Sequence, residues 1–354
     1  MWVLLIEIAI ILVKIGVIVG IMFFLIAYLS LAERRVCAFI QDRLGPNRVG
    51  YFGLLQPLAD GAKFFFKEDI IPRHVHRVLY VLAPMIILVP ALLAFAVIPF
   101  GSTTTIFGRH IQFQIADINV GLLFIFAMAT LDVYGLLIGG WASNNKYSLL
   151  GGLRGSAQLI SYEVGLGLSI VGIFMICGTL RLNGIVEFQT AALAGFLPAW
   201  IPRWNIFLQP LAFVLFAIAS LAETNRIPFD LPEAEAEIVA GYHTEYSSFK
   251  FMMFPMSEYA NMITWSALAV VLFFGGWHLP GVEHLPLPDF IRGMVYFAIF
   301  WGKTAFFLFC YIWIRWTYPR LRYDQLMKLG WVFLLPVGLL NIMVTGIVIL
   351  LLQG

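Results

Sequence analysis

The residues of this sequence that could carry chemistry are mainly carboxylates, and they concentrate beside and inside apolar segments. Seven acidic residues fall within residues 223–258, namely Glu223, Asp230, Glu233, Glu235, Glu237, Glu245 and Glu258. Asp132 and Glu163 lie well inside two other apolar segments. Desolvation disfavours an ionised carboxylate, so a buried carboxyl group can load and release a proton near neutral pH. These acids are therefore candidates for proton transfer.

A local electrostatic interpretation accounts for part of the acidic segment. Asp230 has the pattern of a helix N-cap, with Pro232 in the first turn and Glu233 closing a capping box. Acidic residues are favourable at a helix N-terminus. This interpretation does not account for Glu223 and Glu258, because each stands at the end of an apolar segment.

A structural role is the alternative for the acids inside apolar segments. Asp132 or Glu163 would then pair with a basic side chain, and Arg154, Lys14 and Lys303 are the conceivable partners. An unpaired carboxylate at membrane depth is costly, which favours a functional role. The sequence leaves both interpretations open.

Other kinds of site chemistry find no support in the residue pattern. The three cysteines, Cys37, Cys177 and Cys310, are far apart and form no CxxC or His–Cys spacing. Neither a metal cluster nor a disulfide framework is therefore expected. The six histidines share no ligand spacing, and the net charge of +2 includes no basic run typical of nucleic-acid binding.

Apolar segments make up most of the chain, whose 354 residues are 61% hydrophobic and only 12% charged. A soluble protein of this composition would expose large apolar patches. About 20 residues cross the roughly 30 Å of bilayer hydrocarbon. Eight segments come close to or exceed that length, at approximately 3–31, 78–100, 118–142, 156–178, 205–222, 257–278, 292–315 and 330–352. We therefore predict an all-α integral membrane protein with a single transmembrane domain, residues 1–354, whose first segment is a retained span.

The basic residues predict the orientation of these spans. The inner side would hold sixteen of them: Arg34, Arg35, Arg43, Arg48, Lys63, Lys67, Arg73, Arg77, Lys146, Arg154, Arg226, Lys250, Arg315, Arg320, Arg322 and Lys328. The outer side would hold four: Arg109, Arg181, Arg203 and Arg292. By the positive-inside rule, both termini lie outside, and the long loops 32–77 and 223–256 face the cytoplasm or its equivalent.

The first of these loops contains an amphipathic segment, residues 51–68. Its apolar residues follow helical spacing at Leu54, Leu55, Leu58, Ala62, Phe65 and Phe66, and its polar residues form the opposite stripe at Gln56, Asp60, Lys63 and Lys67. Such a helix can lie in the membrane interface, either as a simple surface anchor or as the wall of a site.

Four polar segments carry a resemblance to a known family. They read LAERRVCAFIQDRLGPNRVG (31–50), LLQPLADGAKFFFKE (54–68), LRGSAQLISYE (153–163) and ETNRIPFDLPEAEAEIVAGYHTEYSS (223–248). Together with the eight spans, and over nearly the full length, they resemble the quinone-binding membrane subunit of respiratory complex I. In bacteria that family is the H subunit of NADH–quinone oxidoreductase, and in mitochondria it is subunit 1.

The resemblance implies roles for individual residues. The quinone entry and chamber would involve Glu33, Arg34, Arg35, Asp60, Lys63 and Phe65, and the acids at the inner mouth would be Glu223, Asp230, Glu233, Glu235 and Glu237. A chain of acids would then lead into the membrane through Glu245, Glu258 and Glu163, and we add Asp132 to it as our own inference. This chain would couple quinone reduction to proton translocation.

The resemblance also implies the setting in which the chain works. It would be an enzyme subunit without a covalent, metal or redox cofactor of its own, with quinone as the substrate. Its partners would be the iron–sulfur and quinone-site subunits of the peripheral arm, the small and antiporter-like membrane subunits, and the lipid bilayer. The membrane would be the bacterial plasma membrane or the mitochondrial inner membrane.

Two other functions compete with this one. The chain could be the membrane anchor of an energy-converting hydrogenase-type complex, against which the long match from Leu31 to Glu68 argues. It could also be an autonomous cation/proton antiporter, which predicts inverted repeats that the sequence does not show. The sequence departs from the family pattern at Cys37, where an aliphatic residue is expected, and within 247–259, where two serines and Pro255 replace an expected glycine and aromatic residues.

Overall fold

The computed structural model describes residues 2–106, 109–190, 202–233, 235–282, 286 and 288–353. Helices dominate this part of the chain: α1 Trp2–Ile40, α2 Gln56–Phe66, α3 Arg77–Ala94, α4 Gly121–Ala142, α5 Lys146–Cys177, α6 Leu182–Thr190, α7 Asn205–Leu208, α8 Pro210–Glu223, α9 Glu235–Ile238, α10 Ser248–Phe273, α11 Asp289–Thr317, α12 Tyr323–Lys328 and α13 Leu335–Gln353. A π-helical segment, Leu329–Leu334, joins α12 to α13. The one departure from the helical fold in the described ranges is a short antiparallel hairpin of β1 Thr104–Ile106 and β2 Arg109–Ile111.

Six of these helical stretches are long and apolar enough to cross a membrane. They are Glu7–Ile40, Arg77–Val97, Gly121–Ala142, Lys146–Cys177, Asp289–Thr317 and Tyr323–Leu352. The chain is thus an integral membrane protein of helical class, as predicted. The two other predicted spans correspond to α8, an apolar helix of only 14 residues, and to α10, of 26 residues.

Several helices begin or end outside the predicted spans. α1 continues to Ile40, so the first part of the predicted loop 32–77 is helical. α10 begins at Ser248, so the predicted acidic loop 223–256 is helical in its last part. Hydropathy falls where charged residues appear, but charged residues do not by themselves end a helix. The first helix-breaking residues after α1 are those of the Gly45–Pro46 turn.

The amphipathic helix forms close to its predicted position. α2 runs from Gln56 to Phe66, and a 3₁₀ turn, Tyr51–Gly53, precedes it. Gly53 has φ of 73°, and a Cβ there would lie 2.3 Å from the carbonyl oxygen of Pro46. Only glycine fits this turn, which sets the direction in which α2 leaves the end of α1.

The predicted helix start at Asp230 is wrong. Residues 231–233 form a turn, and α9 begins at Glu235. The Asp230 carboxylate instead accepts a hydrogen bond of 2.7 Å from Arg320, just beyond α11. A charged partner from another part of the chain therefore replaces the local N-cap that the sequence pattern indicated.

α10 is the most deeply enclosed of the described helices. Every residue from Met262 to Phe273 is buried. α3, α4 and α5 pack closely because small residues lie at their contacts: a Cβ at Gly135 would meet the Ile87 side chain at 2.2 Å, and one at Gly140 would meet the Ser148 carbonyl at 2.5 Å. These helices hold the acids of α4, α8 and α10 in fixed relative positions.

Candidate functional site

A cavity of about 770 Å³ lies between α1, α2 and α10. Its walls are largely apolar and aromatic, with residues such as Phe23, Phe65 and Met252. Arg34 and Asp60 line the same cavity. The helix of the first predicted span, the amphipathic helix and the helix that contains the sixth predicted span therefore meet around one space. This space is large enough for a drug-sized, mostly apolar ligand.

Ionic contacts attach α2 to α1 on one side of this cavity. Arg34 donates a hydrogen bond of 2.6 Å to Asp60. Gln56 donates to the other oxygen of the same carboxylate at 3.2 Å, and Lys63 lies 3.7 Å from it. Arg35 donates to the carbonyl of Phe52, in the turn before α2. The predicted chamber residues Arg34, Asp60 and Lys63 thus form one cluster.

Serines attach the other end of α2 to the start of α10. The Ser248 hydroxyl lies 2.9 Å from the carbonyl oxygens of Phe64 and Lys67. Ser247 exchanges hydrogen bonds with the backbone of Ile70. Ser248 has φ of 54°, a left-handed conformation that glycine adopts at little cost. The two serines that depart from the family pattern are therefore the residues that fasten α2.

Aromatic pairs connect the facing walls of α2 and α10. Phe65 stacks on Phe249 with ring centroids 5.0 Å apart, and Phe64 lies against Phe251 at 6.2 Å. Such pairs contribute about 0.5–1.5 kcal/mol beyond their buried area. Phe65 remains 70% exposed because it stands at the open rim of the cavity. Both contacts are purely apolar, and they shape this wall of the cavity.

Glu33 is the centre of a buried ionic cluster near the C-terminal end of α1. Arg226 donates to one carboxylate oxygen at 2.7 Å, and the Tyr259 hydroxyl donates to the same oxygen at 2.8 Å. Arg315 donates to the other oxygen. The Arg226 guanidinium also lies over the Tyr259 ring, 4.3 Å from its centroid. Removing one partner of such a buried group is expected to be strongly destabilising.

Arg226 connects this cluster to the acids deeper in the protein. Its Nε lies 3.9 Å from a carboxylate oxygen of Glu258. Burial acts to lower the pKa of Arg226, but the nearby Glu33, Tyr259 and Glu258 outweigh it and raise that pKa above its ordinary value. The guanidinium is therefore always charged. It lies between Glu33, whose partner Tyr259 lines the large cavity, and Glu258 in the interior.

A second, much smaller cavity lies beyond Arg226. Its volume is about 20 Å³, and three carboxylates line it: Asp132 from α4, Glu223 from the end of α8 and Glu258 from α10. The Asp132 carboxylate accepts a hydrogen bond from Asn261. One oxygen of each carboxylate has no hydrogen-bond partner among the described residues. The space suffices for about one water molecule, which could bridge these oxygens.

The other two predicted members of the acid chain lie outside this cavity. Glu163 accepts a hydrogen bond from the Thr130 hydroxyl of α4. Glu245 accepts one of 2.7 Å from Asn145, and its backbone carbonyl accepts one from Tyr80. The structure therefore groups Asp132, Glu223 and Glu258 around one cavity, whereas Glu163 and Glu245 do not line it.

The salt bridges considered as alternatives for the interior acids are wrong. Arg154 pairs with Glu237 at 2.7 Å. Lys303 donates its hydrogen bonds to backbone carbonyls just beyond α10, those of Phe274, Gly276 and His278. Lys14 has no ion-pair partner in the described ranges. Asp132 and Glu163 thus accept hydrogen bonds from neutral side chains, Asn261 and Thr130, rather than from cations.

The acids predicted at the inner mouth differ in their surroundings. Asp230 is buried beside Arg320; burial and the nearby Glu233 raise its pKa to about 7, although Arg320 opposes the shift. Glu233 lies 3.8 Å from His243 Nδ1, and Glu237 is half exposed. The side chain of Glu235 lies outside the described part of the structure. The Asp230 carboxyl group can therefore gain or lose a proton near neutral pH.

Sequence reasoning missed the partners of the acids. Arg226, Arg315 and Tyr259 surround Glu33, but they come from three distant parts of the chain, and no local spacing connects them. A signal was present for Arg226, because it is one of only two basic residues in an otherwise acidic segment. Asn261 follows Glu258 by three residues, the spacing that places two side chains on one helix face.

The fold and these contacts define a polytopic helical membrane protein with an apolar, charge-rimmed cavity beside a cluster of interior carboxylates. Among the described residues, no group of three or more His, Cys, Asp and Glu side chains could hold a metal ion. The groups that the site does offer are carboxylates able to move protons and charge, and a large cavity able to hold a ligand.

Comparison with known proteins gives the family. The model of the NADH dehydrogenase family matches residues 13–346. The chain is 52% identical over 345 residues to the NADH-quinone oxidoreductase H subunit numbered 1 of Geobacter metallireducens, with 98% of each chain covered. It is 50% identical to the corresponding H subunit of Cytophaga hutchinsonii, with 92% of each covered, and 48% identical to that of Flavobacterium johnsoniae, with 91% and 90% covered. The chain belongs to the family of NADH–quinone oxidoreductase H subunits.

This membership confirms the resemblance predicted from the four polar segments, and with it the prediction of an enzyme-complex subunit. The other subunits of such a complex are its partners. The relatives' names and the membrane-spanning helices together make this chain a membrane subunit.

Proposed function

We propose that this chain forms much of the quinone entry and binding chamber of a proton-pumping NADH:quinone oxidoreductase. The cavity of about 770 Å³ between α1, α2 and α10 carries this proposal. A quinone has an apolar tail and a polar head, and the cavity offers apolar walls with the Arg34–Asp60 pair at their side. The open rim between α1 and α2 would admit the ligand from the bilayer.

The predicted chamber residues would have different tasks. Arg34, Asp60 and Lys63 would set the polarity of the entrance, and Phe65 would form its apolar rim. Arg35 would hold the turn before α2 through the Phe52 carbonyl. Glu33 would act at the inner end of α1 through Arg226, which contacts it directly.

Charge would then pass from the chamber to the interior acids. Two-electron reduction of a quinone requires two protons, so negative charge develops transiently where the dielectric constant is low. Like charges repel strongly under those conditions, and neighbouring carboxylates must take up protons or shift charge. The contacts from Glu33 through Arg226 to Glu258 provide a short route to the cavity shared with Asp132 and Glu223.

The remaining acids would serve the two ends of this route. Asp230, Glu233, Glu235 and Glu237 would supply protons at the inner mouth, of which Asp230 has the matching pKa. Glu163 and Glu245 would continue the route away from the small cavity. Antiporter-like membrane subunits would receive the effect, and the iron–sulfur and quinone-site subunits of the peripheral arm would supply the electrons.

We further propose eight transmembrane helices, with α8 and α10 added to the six long apolar stretches, and both termini on the outer side. α8 is short, but α7 comes just before it in the chain, and only a break at Gln209 separates the two helices. α10 is surrounded by protein rather than lipid, so it can cross the membrane with lower hydropathy. The membrane would be the bacterial plasma membrane or the mitochondrial inner membrane.

A photoreactive quinone analogue tests the chamber. In the assembled complex, light-induced labelling should fall on peptides of α1, α2 and α10, and an excess of unlabelled quinone should suppress it. Peptides from α13 serve as the control, because that helix does not line the cavity. Labelling spread evenly over all apolar helices, or insensitive to competing quinone, would contradict the proposal.

A further inference from the structure

Lys14 carries an ammonium group on the apolar helix α1. This group has no partner among the described residues. The ion pairs and hydrogen bonds of that part of the chain do not include it. Its neighbours on the helix, Leu12, Val13, Ile15 and Val17, are exposed apolar residues. The desolvation of an unpaired cation in such surroundings is unfavourable, so a bound anion would stabilise the Lys14 ammonium group.

The position of Lys14 along α1 indicates the side of the membrane towards which it lies. It precedes Arg34 by 20 residues of one helix, and at about 1.5 Å per residue the two side chains are roughly 30 Å apart. That distance matches the hydrocarbon thickness of a bilayer. Since Arg34 belongs to the polar cluster at the proposed inner boundary, Lys14 lies towards the outer side, and it shares a groove with Gln112 and Phe113 of the proposed outer loop between α3 and α4. Lipid phosphates are found at the level of such a loop.

A groove separate from the quinone chamber opens beside Lys14. It has a volume of about 270 Å³, and Val17 and Ile21 of α1, Phe113 of the segment after β2, and Met294 and Phe297 of α11 line it together with Lys14 itself. The walls are apolar below the ammonium group. This combination suits a molecule with an anionic head and a hydrocarbon tail.

A second polar group that is free to contact a ligand lines the same groove. Gln112 is exposed, lines the groove, and forms no hydrogen bond with the described residues. The nearby Gln114 is different, because it donates to the Val97 carbonyl at 2.7 Å and accepts from Asn183 at 2.6 Å. Gln112 is therefore available to a ligand, whereas Gln114 only holds the wall.

We infer that this groove binds an anionic phospholipid of the outer leaflet. The phosphate accepts hydrogen bonds from the Lys14 ammonium and the Gln112 amide, and one acyl chain lies along Val17, Ile21 and Phe297. The lipid contacts both the outer half of α1 and α11. This inference rests on the proposed orientation of the helices but not on the quinone chamber, because it concerns a different groove.

Site-directed photo-crosslinking in the assembled complex tests the inference. A benzophenone amino acid replaces Met294, and the complex is placed in nanodiscs with labelled phosphatidylglycerol or labelled phosphatidylcholine. One lysine at the headgroup level should favour the anionic lipid about fivefold in captured label. Lys14→Leu should bring the two lipids to equal capture, and Lys14→Arg should keep the preference.

Two controls make the outcome decisive. The same amino acid at Leu340, an exposed apolar residue of α13, should capture both lipids equally in every variant. Quinone reductase activity and subunit composition are measured alongside, so that a failed assembly is recognised. An anionic preference at Met294 that survives Lys14→Leu would overturn the inference. So would suppression of the captured lipid by excess quinone, which would make the groove a second quinone site.

Discussion

Arg34 and Asp60 form the pair on which α1 and α2 meet, and the proposed chamber depends on their opposite charges. Arg34→Ala and Asp60→Ala should each raise the quinone KM several-fold, while NADH oxidation with an artificial acceptor continues at the normal rate. The double exchange Arg34→Asp with Asp60→Arg should recover part of the loss, since it restores an attractive pair.

Arg48→Ala is the matched control for that pair. Arg48 belongs to the same polar segment, is exposed, and has no ion pair or hydrogen bond with the described residues. Its substitution should leave both activities unchanged. Normal quinone kinetics in the Arg34 and Asp60 variants would remove the pair from the site, whereas equal loss of both activities would indicate failed assembly.

Asp230 provides a pH test, because its pKa is raised to about 7 by burial and by Glu233. The carboxyl group is protonated below that pH and ionised above it, so it can donate a proton only on the acidic side. In Asp230→Asn the group never donates. The ratio of variant to wild-type turnover should therefore rise several-fold between about pH 6 and pH 8, as the wild type loses its own proton.

The stability of the complex should follow the same titration. The unfolded pKa of an aspartate is about 3.9, so the folded protein binds more protons than the unfolded one between about pH 4 and pH 7. The contribution of Asp230 to stability is therefore complete below that window and is lost as the pH rises through it. Glu68→Gln, at an exposed acidic residue, is the control; a constant turnover ratio for Asp230→Asn would exclude the proton-donor role.

At the scale of the helices, Ser248 decides how α2 is attached to α10. Ser248→Ala loses the hydroxyl's hydrogen bonds, worth about 1 kcal/mol, and keeps a left-handed backbone that costs a non-glycine residue roughly 1–2 kcal/mol. Ser248→Gly also loses the hydroxyl but relieves the backbone. Heat inactivation of quinone reduction should therefore be faster in the alanine variant than in the glycine variant.

Ser169→Ala is the control for this comparison. Its hydroxyl donates to the Leu166 carbonyl within α5, so the substitution should not change the attachment of α2. If the glycine variant is inactivated faster than the alanine variant, backbone strain at residue 248 has no role.

The elements were predictable from the sequence where hydropathy and helical periodicity decide them. Periodicity predicted α2 to within a few residues of its limits, and the long apolar stretches predicted α3, α4 and α11. Hydropathy could not predict that α1 continues through its charged residues to Ile40, because charge ends a span but not a helix. It likewise could not show that α7 and α8 are separate at Gln209.

The candidate residues were predictable from the sequence, but their pairing was not. Glu33, Arg34 and Asp60 stand in motifs whose resemblance pointed to them. The contact of Glu33 with Arg315 joins residues 282 positions apart, and only the packed fold brings them together. The pairing of Asp230 with Arg320 displaced a local cap for the same reason, since a desolvated charge stabilises more by meeting a cation than by capping one turn.

At the scale of the whole molecule, the orientation predicted from sixteen inner and four outer basic residues can be measured directly. In a background without Cys37, Cys177 and Cys310, a cysteine at Lys146 should react with an impermeant thiol reagent only from the cytoplasmic side. One at Thr103 should react only from the outside. Both positions are exposed and flank α4, so the reverse pattern would invert the whole topology.

The coupling of quinone reduction to proton translocation is the property that belongs to the molecule as a whole. Glu223 and Glu258 share the small interior cavity, and each has one carboxylate oxygen without a partner among the described residues. Glutamine keeps the shape of the side chain and removes the titrating proton. Because electron transfer cannot finish without charge compensation, Glu223→Gln and Glu258→Gln should each lower quinone reduction and proton pumping together, by at least about tenfold, or 1.4 kcal/mol in the barrier.

Turnover and the proton-to-electron ratio of the reconstituted complex distinguish this coupling role from a structural one. Glu163→Gln should lower quinone reduction and proton pumping as well, since Glu163, which accepts a hydrogen bond from Thr130, would continue the same route. Glu187→Gln, at an exposed residue of α6, should have none. A purely structural role would lower the yield of assembled complex while leaving turnover and the ratio normal in what remains. Wild-type values of both quantities in the Glu223 and Glu258 variants would exclude these carboxylates from the proton route, and the small cavity would then be only a hydrated gap between α4, α8 and α10.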